Sequence, residues 1–266
     1  MIDWSLHFNR AVCFCHRKNG SDVRHRSIEA EFKRVGLLDS GIFRWSFTYA
    51  NPWEKKLIEA YPKIWRAGAN KTAIGFLNLG FASMRALREA IMDGCGRVLF
   101  LEDDIRFLKD PGEIVAALDD IPDGFDIVQF DKFVKGGLTA DGYRAMVEAD
   151  RINAHYFDAK GRPFMSSGCF LATRRGMENM LRAFEEWRPG PMDGYLNMNG
   201  NTHAVAIRNL AVQVVLTDAM VLGYAKPDPS LVNTHHAAYA PQGVRYEDYA
   251  VPDGYGYGRL TARVDG

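Results

Sequence analysis

Residues Arg97–Phe107 read RVLFLEDDIRF, an apolar run that ends in three consecutive carboxylates. Val98, Leu99, Phe100 and Leu101 make the short continuous apolar block that a strand covered on both faces requires. Glu102, Asp103 and Asp104 follow without a turn residue between. Adjacent anions repel, and they stay ionised together only where solvent, donors or a cation neutralise them. In an open α/β sheet, ligands bind in the crevice beyond the carboxyl ends of the strands. The stretch therefore predicts a buried central strand with a ligand site at its end. Glu102 and Asp104, two residues apart, are placed to face one divalent cation, while Asp103 turns away to hydrogen-bond a sugar or a backbone turn. The structural alternative is an Asp that caps the following turn, with Glu102 in solvent.

Working outward, AVCFC (Ala11–Cys15) reads as a strand, HRKNGSD (His16–Asp22) as a polar loop, and Val23–Val35 as an amphipathic helix closed by Gly36. Ile42–Tyr49 alternates bulky residues as a second strand. Ile74–Met92 places Leu77, Phe81, Met84, Leu87 and Ile91 at helical spacing, and Gly94 and Gly96 end it. Past the acids, a helix is expected at Gly112–Leu118, strands at Phe125–Phe130 and Cys169–Ala172, a helix at Arg175–Phe184 and a strand at Leu210–Leu216. Lys132 to Pro163 is Gly-rich and weakly patterned, and Trp187–Asn201 is a loop-rich insert. Alternating strands and helices predict a mixed, mostly parallel α/β sheet with helices on both faces. With no repeat or linker, residues 1–266 are expected to form a single domain, its tail from about Pro227 wrapping over the body.

A chain of 266 residues, 47% hydrophobic and 12% aromatic, fills an enzyme-sized core. Thirty-three Lys and Arg balance thirty-three Asp and Glu, so no overall field draws the chain to nucleic acid. MIDWSLHFNR lacks the basic start and apolar core of a signal peptide, and no run of about 18 apolar residues exists to span a bilayer. A cytoplasmic protein without a transmembrane segment is expected. Cys13, Cys15, Cys95 and Cys169 form no C-x-x-C or zinc-spaced set and read as reduced, buried thiols. No G-x-x-x-x-G-K-[ST] loop occurs, which sets the P-loop NTPases aside.

Several blocks resemble the family 25 glycosyltransferases, the lipooligosaccharide-type galactosyl and glucosyl transferases related to procollagen galactosyltransferase. AVCFCHRKNGSDVRHRSIEAEFKRVGL (Ala11–Leu37) looks like the family's opening strand and Arg-rich helix start, and FLEDDI (Phe100–Ile105) like its most specific signature. SSGCFLATRRGMENML (Ser166–Leu181), GPMDGYLN (Gly190–Asn197) and MVLGYAKPDPSLVN (Met220–Asn233) resemble its later blocks. Where the family carries Gly-Cys-x-x-Ser-His, this chain has GFLNLG, with Leu79 and Gly80 at the Ser-His positions.

The resemblance implies a GT-A-like, Rossmann-type fold whose acidic motif holds Mn2+ or Mg2+ against the diphosphate of a nucleotide sugar, most simply a UDP-sugar. Glu102 and Asp104 fit that slot, and His235, in NTHHAAY, is the implied third ligand; adjacent His235 and His236 in a polar tail also suit solvent. His16, Arg17 and Arg24 are placed to meet the donor's base, ribose or phosphates, as is Asp103, although Arg24 also suits an exposed first turn. An inverting transfer needs a base for the acceptor hydroxyl; Asp193, in the Gly-Pro loop GPMDGYL, is the candidate, against the alternative of a turn-stabilising Asp. Trp45, Trp53 and Trp65 suit either sugar stacking or the core. The implied partners are a nucleotide-sugar donor and a saccharide or glycolipid acceptor, such as lipopolysaccharide core, met at the inner face of a membrane. A nucleotidyltransferase, or a non-catalytic glycan- or nucleotide-sugar-binding protein on a degenerate transferase scaffold, are the competing classes.

Overall fold

The computed structural model of the chain describes residues 2–15, 23–48, 56, 71–108, 110–134, 140–162, 164–187, 192–196 and 200–213. Its centre is a seven-stranded sheet in the order β2 (Phe43–Phe47), β1 (Arg10–Cys15), β3 (Arg97–Glu102), β9 (Cys169–Thr173), β5 (Ile127–Gln129), β10 (His203–Ala206), β7 (Tyr156–Asp158). β2, β1, β3, β5 and β10 run one way; β9, between β3 and β5, and β7, at the edge, run the other. Two short antiparallel pairs lie beside it: β4 (Ile105–Phe107) with β11 (Ala211–Gln213), and β6 (Phe133–Val134) with β8 (Phe164–Met165).

Strand alternation divides the core into two layers. Ala11 and Cys13, Leu99 and Leu101, and Cys169 and Leu171 face a core completed by Ile28 and Phe32 of α1 (Val23–Arg34), Ile114 and Leu118 of α3 (Pro111–Asp119), and Tyr143 and Val147 of α4 (Ala140–Ala149). The residues between them, Val12 and Phe14, Val98 and Phe100, and Phe170 and Ala172, face α2 (Lys71–Met92), α5 (Arg174–Trp187) and α6 (Met192–Leu196). Phe14, Phe100 and Phe170 stack across three strands at 5.7 and 5.2 Å. Helices on both faces explain why the central strands are continuously apolar. The architecture is thus the mixed, mostly parallel α/β sheet with helices on both faces that the alternation of strands and helices predicts.

Local chemistry sets the ends of the elements. Gly36 takes φ +73 after α1, and Asp110 caps α3 by accepting from Gly112 N at 2.8 Å, with Pro111 opening the helix. All four cysteines are free and buried. Trp45 meets Phe43 edge-on at 4.7 Å, the core role of the two it suited, while Trp53 and Trp65 lie outside the described residues. So does the tail from Pro227 that was expected to wrap over the body. Among the described residues, no helix is long and apolar enough to cross a membrane.

Candidate active site

β3 delivers Glu102 at its last position, Asp103 and Asp104 make the turn, and the chain enters β4 directly after it. That turn is pinned from below. Glu31 of α1 accepts the Phe107 N–H at 2.8 Å, and Arg34, paired with Glu31 at 2.7 Å, donates to the Phe107 and Leu108 carbonyls at 3.2 and 3.1 Å. The acids alternate as their spacing predicts: Asp103 is buried, Glu102 and Asp104 half-buried. Burial, and after it the negative charge of Asp103, pushes the Cys13 thiol up. An Asp103 this buried leaves little of its side chain for a donor sugar.

Three segments that the sequence reading did not join converge on the acids. Ser167 Oγ donates to Glu102 Oε1 at 2.5 Å, and the Glu102 N–H donates to the Gly168 carbonyl at 2.9 Å. Gln213 Nε2 donates to Glu102 Oε2 at 2.8 Å and reaches Asp104 Oδ1 at 3.4 Å. Ser166, at φ 89, donates from Oγ to Asp131 Oδ2 at 2.7 Å, and its own carbonyl accepts from Gln129 Nε2 at 2.5 Å. Behind Asp131, Lys132 is fully buried and donates to the Ile207 carbonyl and to Asn209 Oδ1, each at 3.0 Å. Burial lowers the Lys132 pKa to about 7, while the charge of Asp131 acts against that shift. The carboxyl ends of β3 and β5 and the entry to β9 thus form one polar edge, on the side of the sheet where ligands of such folds bind.

The sequence signals for the missed residues were weak. Ser166, Ser167 and Gly168 are only a run of small residues before an apolar strand, and Gln213 is one polar residue within another. Asp193 lies not in a loop but in the first turn of the short helix α6, with only its backbone among the described residues. For Arg24, likewise, only the backbone, near the start of α1, is described. His16, Arg17 and His235 lie outside the described residues. Glu185 and Glu186 are exposed on α5, and Leu79 and Gly80 fall within α2.

A divalent cation fits this edge in part. Glu102 and Asp104 converge on a single amide NH2, whose hydrogens set positive partial charge between two hard oxygen donors. Among the described residues, no group of three His, Cys, Asp or Glu side chains is placed to hold a metal, so these two would need a further ligand.

No family model and no curated protein matches the chain. Solved structures do. A glycosyltransferase involved in glycosylation of the major capsid of PBCV-1 is similar over 81% of this chain and 98% of its own, at 7% identity and a TM-score of 0.44. Mouse xyloside xylosyltransferase 1 matches over 71% and 80%, at 11% identity and 0.35. Mannose-1-phosphate geranyltransferase from Thermus thermophilus matches over 79% and 76%, at 10% identity and 0.39. These are likenesses in the course of the chain and assign no activity. The family-level resemblance has its support in the sequence blocks alone.

Proposed function

We propose that the chain is a metal-dependent glycosyltransferase that moves a hexose, galactose or glucose, from a UDP-sugar to a saccharide acceptor such as lipopolysaccharide core or a surface glycan, with inversion. The observation that carries this reading is the convergence of Glu102 and Asp104 on one point at the carboxyl edge of the sheet. Glu102, Asp104 and His235 would hold Mn2+ or Mg2+, and a bound cation supplies stabilisation of the charge that develops on the leaving diphosphate.

The chain's own residues supply the rest. His16, Arg17 and Arg24 follow β1, whose carboxyl end adjoins that of β3, so they can bind the base, ribose or phosphates of the donor. Asp193 takes the proton from the attacking hydroxyl, and a flanking carboxylate on the face opposite the leaving group gives inversion. The layer of helices over each face keeps water from the strands beneath the site. A lipopolysaccharide-core acceptor would be met in the cytoplasm, at the inner face of a membrane.

Calorimetric titration of UDP with and without Mn2+, followed by a screen of UDP-sugars for metal-dependent hydrolysis, tests the reading. UDP affinity that requires Mn2+ is expected. Nucleotide binding indifferent to metal, or none, would sink it in favour of a glycan-binding module; release of pyrophosphate from a nucleoside triphosphate and a sugar phosphate would favour a nucleotidyltransferase.

A further inference from the structure

The Glu102 carboxylate is gripped at both oxygens, by Ser167 Oγ at 2.5 Å and by Gln213 Nε2 at 2.8 Å. The same nitrogen reaches Asp104 Oδ1 at 3.4 Å, so one neutral amide spans two anions. Gln213 is itself fixed. Its backbone pairs with Ile105, the residue after Asp104, through the β4–β11 ladder. Its Cγ lies against Gly168, where an added β-carbon would stand 2.8 Å away. Its Oε1 is 3.4 Å from Ser166 Oγ, which is anchored on the buried Asp131.

We propose that Gln213 is a positioning residue, whose amide sets Glu102 and Asp104 at the spacing one divalent cation requires before the cation arrives. The inference rests on the metal-dependent reading given above. Left to themselves, neighbouring carboxylates splay apart, and drawing them together costs binding energy. A primary amide offers two hydrogens, one for each acid, and adds no charge to compete with the ion. Each carboxylate oxygen keeps a second lone pair for ligation. A lysine here would neutralise the pair and exclude the cation; a glutamate would add a fourth anion. The hydrogen-bond partners of ligating groups are worth roughly 10- to 100-fold in metal affinity.

The experiment follows Mn2+ binding directly, through loss of the free-ion signal in electron paramagnetic resonance, with no turnover required. Gln213→Met keeps the length and the contact with Gly168 but removes both donors, and is expected to weaken Mn2+ binding roughly 10- to 100-fold. Ser167→Ala frees the other oxygen of Glu102 and should act in the same direction. Because both work through one carboxylate, the double variant is expected to lose little more than the weaker-binding single, whereas independent structural effects would multiply. Should Gln213→Met fail to fold, Gln213→Lys serves instead: its ammonium satisfies both acids, and the folded variant should bind no Mn2+. Parental Mn2+ affinity in Gln213→Met, or multiplying losses in the double variant, overturns the inference and leaves the metal reading standing, whereas parental affinity in Gln213→Lys overturns both. A parent protein that binds no Mn2+ overturns both.

Discussion

Asp131 Oδ2 lies so close over Gly168 that an added β-carbon would stand 2.5 Å from it. The carboxylate is held there by Ser166 Oγ and cannot retreat without breaking a buried hydrogen bond. Gly168→Ala is therefore expected to cost about 1–3 kcal/mol, the usual range for overpacking. Urea unfolding measures it. Mn2+ binding should weaken as well, since Gln213 is displaced by the same atom; an unchanged unfolding midpoint would mean that Asp131 yields freely.

Asp104→Ala removes one of the two carboxylates that face Gln213 and relieves crowding among three neighbouring anions. Metal-dependent UDP binding should vanish, while stability without metal stays level or rises. Calorimetry and urea unfolding on one preparation check both. Parental UDP affinity with Mn2+ would remove Asp104 from the metal site, and an unfolded variant would give the acid a structural role.

Asp193→Asn keeps the size of the side chain at the start of α6 but cannot accept a proton. Turnover is expected to fall by roughly 10²- to 10⁴-fold, the usual worth of general-base catalysis, with UDP-sugar affinity retained. Transfer rate and donor affinity are to be measured on the same folded protein. An intact rate, or a loss of affinity that matches the loss of rate, shifts the search for the base to Asp103, Asp131 and Glu186.

Lys132 gives folding stability a pH dependence of definite sign. Burial lowers its pKa from 10.5 to about 7 in the folded chain, so above about 7 the unfolded state holds a proton that the folded state has released. Stability should rise with pH across that window, by up to about 1.4 kcal/mol per pH unit, and this contribution should be flat below it. The comparison belongs below about pH 8.5, because Cys13 and Cys169, whose thiols burial pushes up, cost stability once the unfolded thiols ionise near 9.0. Urea unfolding of the parent and of Lys132→Met from about pH 6.5 to about pH 8.5 tests the assignment. A slope that survives the substitution belongs to another group.

Elements covered on both faces were legible residue by residue. Ala11–Cys15, Val98–Leu101 and Cys169–Ala172 are apolar at every position because each side chain, whichever way it points, meets a helix. The long helix was legible to within a turn, starting at Lys71 rather than Ile74. The segment after Lys132 hid α4 and the short strands β6, β7 and β8, since strands of two or three residues leave no period to detect. β4 was invisible for the same reason.

The sequence by itself determined that a buried strand would end in three carboxylates at the ligand-binding edge of an α/β sheet, because that follows from local hydrophobicity and the period-two alternation of a strand. Tertiary structure alone decided which groups meet those carboxylates. β9 runs against β3 and so brings Ser167 to Glu102; β11 folds back on β4 and carries Gln213 there across 111 residues of chain. Strand direction and partner are set by long-range pairing, and no local pattern of side chains encodes them.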